Sequence, residues 1–290
     1  MNTLIPDIIL TAVAVIWLIA ASVTDIKKRE VADWLSYSLI AIALATRGLF
    51  AIIFQNSGYF LYGLLGFGIF IIISLIFYYT RIFGGGDAKL LMGLGACFGT
   101  TPGFVLQNVN MSTILPISSE PFLLTLFINI LFLGSIYGII FAIIVSIKNK
   151  KRFSKLFKKN QNKTKIFYFI LAFVILILAL FTKMYEIIIF VIILIILPYI
   201  FTIVRVSEKL MITKKPWNKL TEGDWISEKI KIGSKIIKPN ADGLSKKDIL
   251  LIKKANKKIL VKDGIPFVPA ILISLIITLI LGNLLFLILI

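Results

Sequence analysis

A chain of 290 residues in which 59% are hydrophobic and 16% are Asp, Glu, Lys or Arg does not read as a soluble domain, because its Ile, Leu, Val and Phe run in blocks longer than soluble core helices need. The formal charge of +18 would suit nucleic acid, but the cations fall in short clusters between apolar runs, as the positive-inside rule expects, so nucleic-acid binding is set aside. With no His and one Cys, the composition excludes His-based triads, Cys-His peptidases and zinc sites other than all-carboxylate ones.

Polar punctuation divides the chain into predicted helices at 4–24, 34–54, 60–83, 87–100, 121–147, 166–182, 185–204 and 266–290. The first begins at Leu4 without a basic flank and is followed by many more spans, so it reads as a retained helix and not a cleaved signal peptide. The fourth, "DAKLLMGLGACFGT", is short for a hydrocarbon core of about 30 Å. Cys97, alone in that helix, reads as a small packing residue. The expected fold is an all-α polytopic membrane protein of about eight transmembrane helices, with a small α/β cytoplasmic insertion before the last. Its expected parts are a core of five helices (1–147), a basic loop (148–165), an additional hairpin (166–204), a cytoplasmic module (205–264) and the last helix (265–290).

Orientation follows from the cations. Lys27, Lys28 and Arg29 follow helix 1, Arg81 and Lys89 flank the third turn, nine Lys and Arg lie in 148–165 and sixteen in 205–264, whereas 101–120 has none. Arg47 lies inside helix 2, and Lys183 in a tight turn. Placing the basic segments in the cytoplasm puts both termini outside and makes the fourth helix cross. The module carries a capping-box spacing, Ser245 to Asp248, before an apolar run, and a strand-like alternation from Trp225 to Ile232. Its plainest reading is a charged, solvated linker domain without chemistry. The run "KNKKRFSKLFKKNQNKTK" reads as an anchor for anionic lipid head groups. Asp7 and Arg47, both toward the outer face on neighbouring helices, are expected to pair structurally.

This orientation sets Asp25, at the inner end of helix 1, and Asp87, at the start of helix 4, at one membrane depth. Two carboxylates so placed have an available hydrolytic chemistry: one, ionised, takes a proton from a shared water, while the other, protonated, polarises the scissile carbonyl and protonates the leaving amine. Neither a metal nor a cofactor is required. Gly84, Gly85 and Gly86, lacking Cβ atoms, permit close substrate approach, and the helix start favours an anion at Asp87. Alternatively Asp87 only caps its helix, and Asp25 is a solvated interfacial acid. Lys89 adds a cation near Asp87. Arg29, Glu30 and Asp33 lie beside the site; the two acids are placed to attract a basic segment, or simply form a solvated turn.

"Asp25-Ile-Lys-Lys-Arg-Glu-Val" with Asp33, and "Gly84-Gly85-Gly86-Asp87-Ala-Lys", resemble the two signatures of the type IV prepilin peptidase family in its archaeal branch, which includes the preflagellin peptidases. Pro266-Phe267-Val268-Pro269 is similar to that family's motif at the start of its last helix. The resemblance implies a Gly-x-Gly-Asp membrane aspartyl peptidase with Asp25 and Asp87 catalytic, cutting a short basic leader from pilin-like or archaellin-like precursors at the cytoplasmic boundary. It implies peptidase activity alone, since the methylating domain of bacterial relatives, with paired Cys motifs, has no counterpart here. The usual core has six helices, so the 166–204 hairpin and the 205–264 module are departures; the module tilts the expectation toward a pilin-type substrate. Two other readings stay open. In a presenilin-like intramembrane protease, Tyr is expected before the first Asp where Thr24 stands, and Leu where Ile271 follows Pro269-Ala270. In a cation-coupled transporter, the acids would lie near the midplane of repeated halves.

Overall fold

The computed structural model describes residues 4–108, 121–159, 164–182, 188–233, 235–240 and 242–289. Three long apolar helices open the chain: α1 (Leu4–Lys28), α2 (Asp33–Ile53) and α3 (Ser57–Tyr79). On α1, Leu10, Ala14, Leu18 and Ala21 form the buried stripe that Asp25 continues, while Ile16, Ile19 and Val23 stay exposed. An apolar outer face of this kind suits lipid. The Asn56 side chain accepts from Gly58 N at 2.9 Å and starts α3. Arg29 (φ 58°) and Arg81 (φ 59°) end α1 and α3 in the left-handed conformation.

Next come α4 (Gly85–Cys97), α5 (Gly103–Asn108), α6 (Phe122–Lys148), α7 (Lys150–Lys159), α8 (Thr164–Thr182) and α9 (Ile188–Leu210). Five helices among the described residues are long and apolar enough to span a membrane: α1, α2, α3, α6 and the Val191–Leu210 part of α9. α4, at 13 residues, extends about 20 Å, short of a full crossing. The expected cation-free loop falls largely on 109–120, and Lys183 with the hairpin turn on 183–187; these lie outside the described residues. Part of the expected basic loop is helical. In α7, Phe153, Leu156 and Phe157 recur at helical spacing and are partly buried, with Lys and Arg around the rest.

The chain divides into two compact units. One comprises Met1–Tyr137, Asn240–Asp242 and Gly264–Ile290, the other Gly138–Pro239 and Gly243–Asp263. In the first, α4 is enclosed by α1, α2 and α3. Gly66 of α3 and Gly95 of α4 meet backbone to backbone, where a Cβ on either would strike the other's carbonyl oxygen. Arg47 is fully buried and terminates α4: its guanidinium donates to Ala96 O (2.8 Å), Cys97 O (2.9 Å), Tyr59 O (3.0 Å) and Thr100 Oγ1 (3.1 Å). Asp7 accepts from Tyr59 Oη at 3.0 Å and Gly103 N at 2.8 Å. The expected Asp7 and Arg47 partnership therefore runs through Tyr59, because α4's end carbonyls and the α5 amide are the stronger unmet needs. Phe98 and Phe122 seal the same end.

The last helix, expected as one piece, is two: α11 (Val268–Leu281) and α12 (Leu284–Leu289). The break is at Gly282 (φ 71°). Asn129 of α6 fastens it, donating to Gly282 O at 2.7 Å and accepting from Leu284 N at 3.1 Å.

In the second unit, α7 and α8 each pack on α9, and Ser146 meets Ser207 at 2.9 Å. The module that follows has strands β1 (Ile212–Lys215), β2 (Trp225–Ile226), β3 (Ile230–Ile232), β4 (Lys235–Ile237) and β5 (Ile259–Lys262), with α10 (Lys246–Lys254) before β5. β5 lies between β1 and β2 in an antiparallel sheet, and β3 pairs with β4. The single strand expected across Trp225–Ile232 is thus two short ones, in different sheets. Ser245 caps α10 as its spacing predicts, accepting from Asp248 N at 3.2 Å. Leu220, Ile226, Leu244, Ile252 and Val261 make a core of the module's own, so it is a packed domain and not a plain linker.

Lys215 of that module lies 3.0 Å from Asp263 and 3.3 Å from Asp224. Burial pulls its ammonium down, but the Asp263 hydrogen bond and the two carboxylate charges outweigh it, so the net shift is upward from 10.5. A raised cation stabilises the fold fully below its ordinary range and loses that contribution as the pH rises through the folded value. We expect Lys215→Met to cost about 1 kcal/mol at neutral pH and to reduce the alkaline loss of module stability, read from thermal unfolding across the pH range around and above 10.5.

Candidate active site

The two sequence signatures meet in the first unit. Asp25 is buried on the last turns of α1, and its Oδ2 accepts from Val268 N at 3.0 Å. Val268 opens α11, with Pro269 in the first turn supplying a fixed φ and no donor of its own. Asp87 stands in the first turn of α4, where its Oδ2 accepts from Gly84 N at 3.1 Å. Each carboxylate thus sits at a helix N-terminus, where unpaired amides and the macrodipole favour an anion. The charge of Asp25 acts on Asp87, so the pair lies within electrostatic reach. Asp87 does cap its helix, as the alternative reading expected, and a carboxylate has a second oxygen left for chemistry.

Gly86 is explained by what it touches. Val31, in the turn after Asp25, occupies the space beside Gly86, where a Cβ would come within 2.6 Å of the Val31 Cβ. The 25–33 and 84–89 segments are therefore dovetailed side chain to backbone. Tyr78 lies over Gly85, 3.6 Å from where its Cβ would be. Gly86→Ala should cost about 1–3 kcal/mol through this clash. Pairing Gly86→Ala with Val31→Gly, which vacates the space the new Cβ needs, is expected to restore much of that stability. Thermal unfolding of the single and double variants checks this.

Lys89 turns away from Asp87. Its ammonium pairs with Asp33 Oδ1 at 2.5 Å and lies 5.1 Å from the Tyr37 ring centroid, so this cation braces α4 against the start of α2. Asp33 is accordingly engaged within the protein. Glu30 is exposed in the turn between α1 and α2. Arg29 donates to Gly264 O at 3.1 Å, joining that turn to the segment before α11.

The α11 amide on Asp25 is the feature that residue-by-residue reading missed, although the Pro-Phe-x-Pro motif marks its place. Phe267 packs on Phe83 at 5.0 Å between centroids, and Phe83 stacks on Phe77 at 4.8 Å, a row of rings joining the glycine turn to the α11 start. Tyr137 of α6 also feels the charge of Asp25. Among the described residues no three His, Cys, Asp or Glu side chains cluster to hold a metal ion.

Residues 12–143, which contain both aspartates, match the model of the type IV leader peptidase family. A preflagellin peptidase of Methanocaldococcus jannaschii is 33% identical over 84 residues, covering 29% of this chain and 36% of that protein. The match therefore spans about a third of the relative's length. No solved structure matches. Over residues 12–143, then, the chain is similar to the type IV leader peptidase family, in agreement with what its two aspartate signatures suggest.

Proposed function

We propose that this protein is a multi-pass membrane aspartyl peptidase that removes a short basic leader from pilin-like precursors at the cytoplasmic boundary of the membrane. The observation that carries the reading is that the two signature carboxylates lie in one unit, each at a helix N-terminus, on segments that interlock at Val31 and Gly86. In the mechanism, a water lies between the two acids, which hold one proton between them. The ionised carboxylate takes a proton as the water oxygen attacks the scissile carbonyl, and the protonated one hydrogen-bonds that oxygen and then supplies the proton for the leaving amine. Burial excludes competing water and strengthens these interactions.

In this reading the basic segments 25–33, 148–165 and 205–264 face the cytoplasm, and α4 with the residues after it completes one of eight crossings. Asp25 lies three residues from the α1 C-terminus and Asp87 two from the α4 N-terminus. That position near helix ends supports cleavage at the boundary over cleavage deep in the bilayer, and over a transporter with midplane acids. Likeness to a preflagellin peptidase favours a second substrate, archaellin-like precursors. A panel of both precursor types, cleaved by purified protein in lipid and sequenced at the new N-terminus, tests the proposal. The expected product ends at the junction of basic leader and hydrophobic helix. A cut within the hydrophobic helix, or none in any precursor, overturns it.

A further inference from the structure

Ser22 lies one helical turn before Asp25 on the same buried face of α1. Its side chain is more than nine-tenths buried, yet its Oγ has no hydrogen-bond partner. A helical hydroxyl in an apolar setting normally donates to the carbonyl four residues back, and this protein follows that habit elsewhere. Ser146, Thr202, Ser207, Ser274 and Thr278 all do so at 2.7–2.8 Å. Leaving a buried hydroxyl unpaired costs about 1–3 kcal/mol. Thr11, Ser36 and Ser74 are unpaired as well, but Ser36 and Ser74 lie on α2 and α3, and Thr11 lies about 20 Å back along α1. Only Ser22 shares a helix face and an adjacent turn with one of the two acids, a spacing at which side chains three residues apart are neighbours.

With Val268 N held by one oxygen of Asp25, the unpaired Ser22 hydroxyl, one turn away on the same buried face of α1, is available to a small polar molecule on the carboxylate. We propose that Ser22 is a further catalytic residue, whose hydroxyl hydrogen-bonds the nucleophilic water and holds it against Asp25. The inference rests on the peptidase reading. In the step, the water oxygen forms the new bond to the carbonyl carbon and one water proton passes to the ionised carboxylate. Ser22 Oγ accepts a hydrogen bond from the other O–H and gains or loses no proton itself.

The test is leader cleavage by the full chain in lipid, with kcat and KM measured separately. Ser22→Ala should lower kcat about 10- to 100-fold, the worth of one hydrogen bond at a charged site, and leave KM within about threefold because precursor binding is untouched. Ser22→Thr, which keeps the hydroxyl, should recover most of the loss. Thr11→Ala, which removes the unpaired hydroxyl farther back along α1, should stay near wild type. If Ser22→Ala does not fold, Ser22→Cys, close in volume and a weak donor, carries the same expectation. Wild-type kcat in Ser22→Ala beside an inactive Asp25→Asn overturns the Ser22 role and spares the dyad. An active Asp25→Asn removes both. Equal losses in Ser22→Ala and Thr11→Ala assign the effect to packing and also overturn it.

Discussion

Asp25→Asn and Asp87→Asn are each expected to reduce precursor cleavage by about 1,000-fold or more while leaving the protein folded in the membrane. The two halves of that expectation have one geometric source. Each acid receives a backbone N–H, from Val268 at 3.0 Å or from Gly84 at 3.1 Å. An Asn side-chain oxygen accepts the same hydrogen bond, so the helix start and the α11 contact survive. The amide has no proton to give and none to take at working pH, so the acid and base steps both stop. Cleavage followed by gel densitometry, with thermal unfolding on the same preparations, separates the two. Full activity in either variant removes the dyad, and a collapse in stability in both would make the loss structural.

Arg47→Met should be the most destabilising single change in the first unit, by about 3–5 kcal/mol. The substitution matches the length of the side chain but leaves the carbonyls of Ala96, Cys97 and Tyr59 without the donor that now satisfies them. No water is at hand in a bilayer interior to replace it. Arg47→Lys keeps the charge but not the planar fork, so it should fall between the two. Unfolding in detergent or nanodiscs measures the effect, and activity per folded molecule should change far less than stability. A variant as stable as the wild type would mean that α4 does not depend on this cap.

Much of this organisation was legible in the sequence because the signals were local. Apolar runs and cation clusters marked the helices to within a few residues, and Gly-Gly-Gly-Asp marked a helix start. What escaped were contacts that depend on a partner far along the chain. The break at Gly282 rests on Asn129, and no pattern within 266–290 announces a clamp from another helix. The Arg47 contact to α4 was read as a pairing with Asp7, since charge invites charge, whereas the deeper need was that of a helix end with bare carbonyls. Nearness along the chain places Lys89 in the neighbourhood of Asp87. On a helix, residues two apart point in different directions, and Lys89 reached Asp33 instead. For the proposed site, the two acids were identified from motif and depth, but the Val268 amide was not, because a backbone group carries no residue-specific mark.

Arg47 also bears on biogenesis. It lies in α2, while three of its acceptors belong to residues 96–100, which the ribosome makes some fifty codons later. Alone in lipid, an Arg within a span is costly, though less so toward its end than the roughly 2.5–3.5 kcal/mol of the centre. The second segment is therefore poorly suited to leave the insertion machinery by itself. It should linger there until the fourth emerges, so that the order of translation sets the order of assembly.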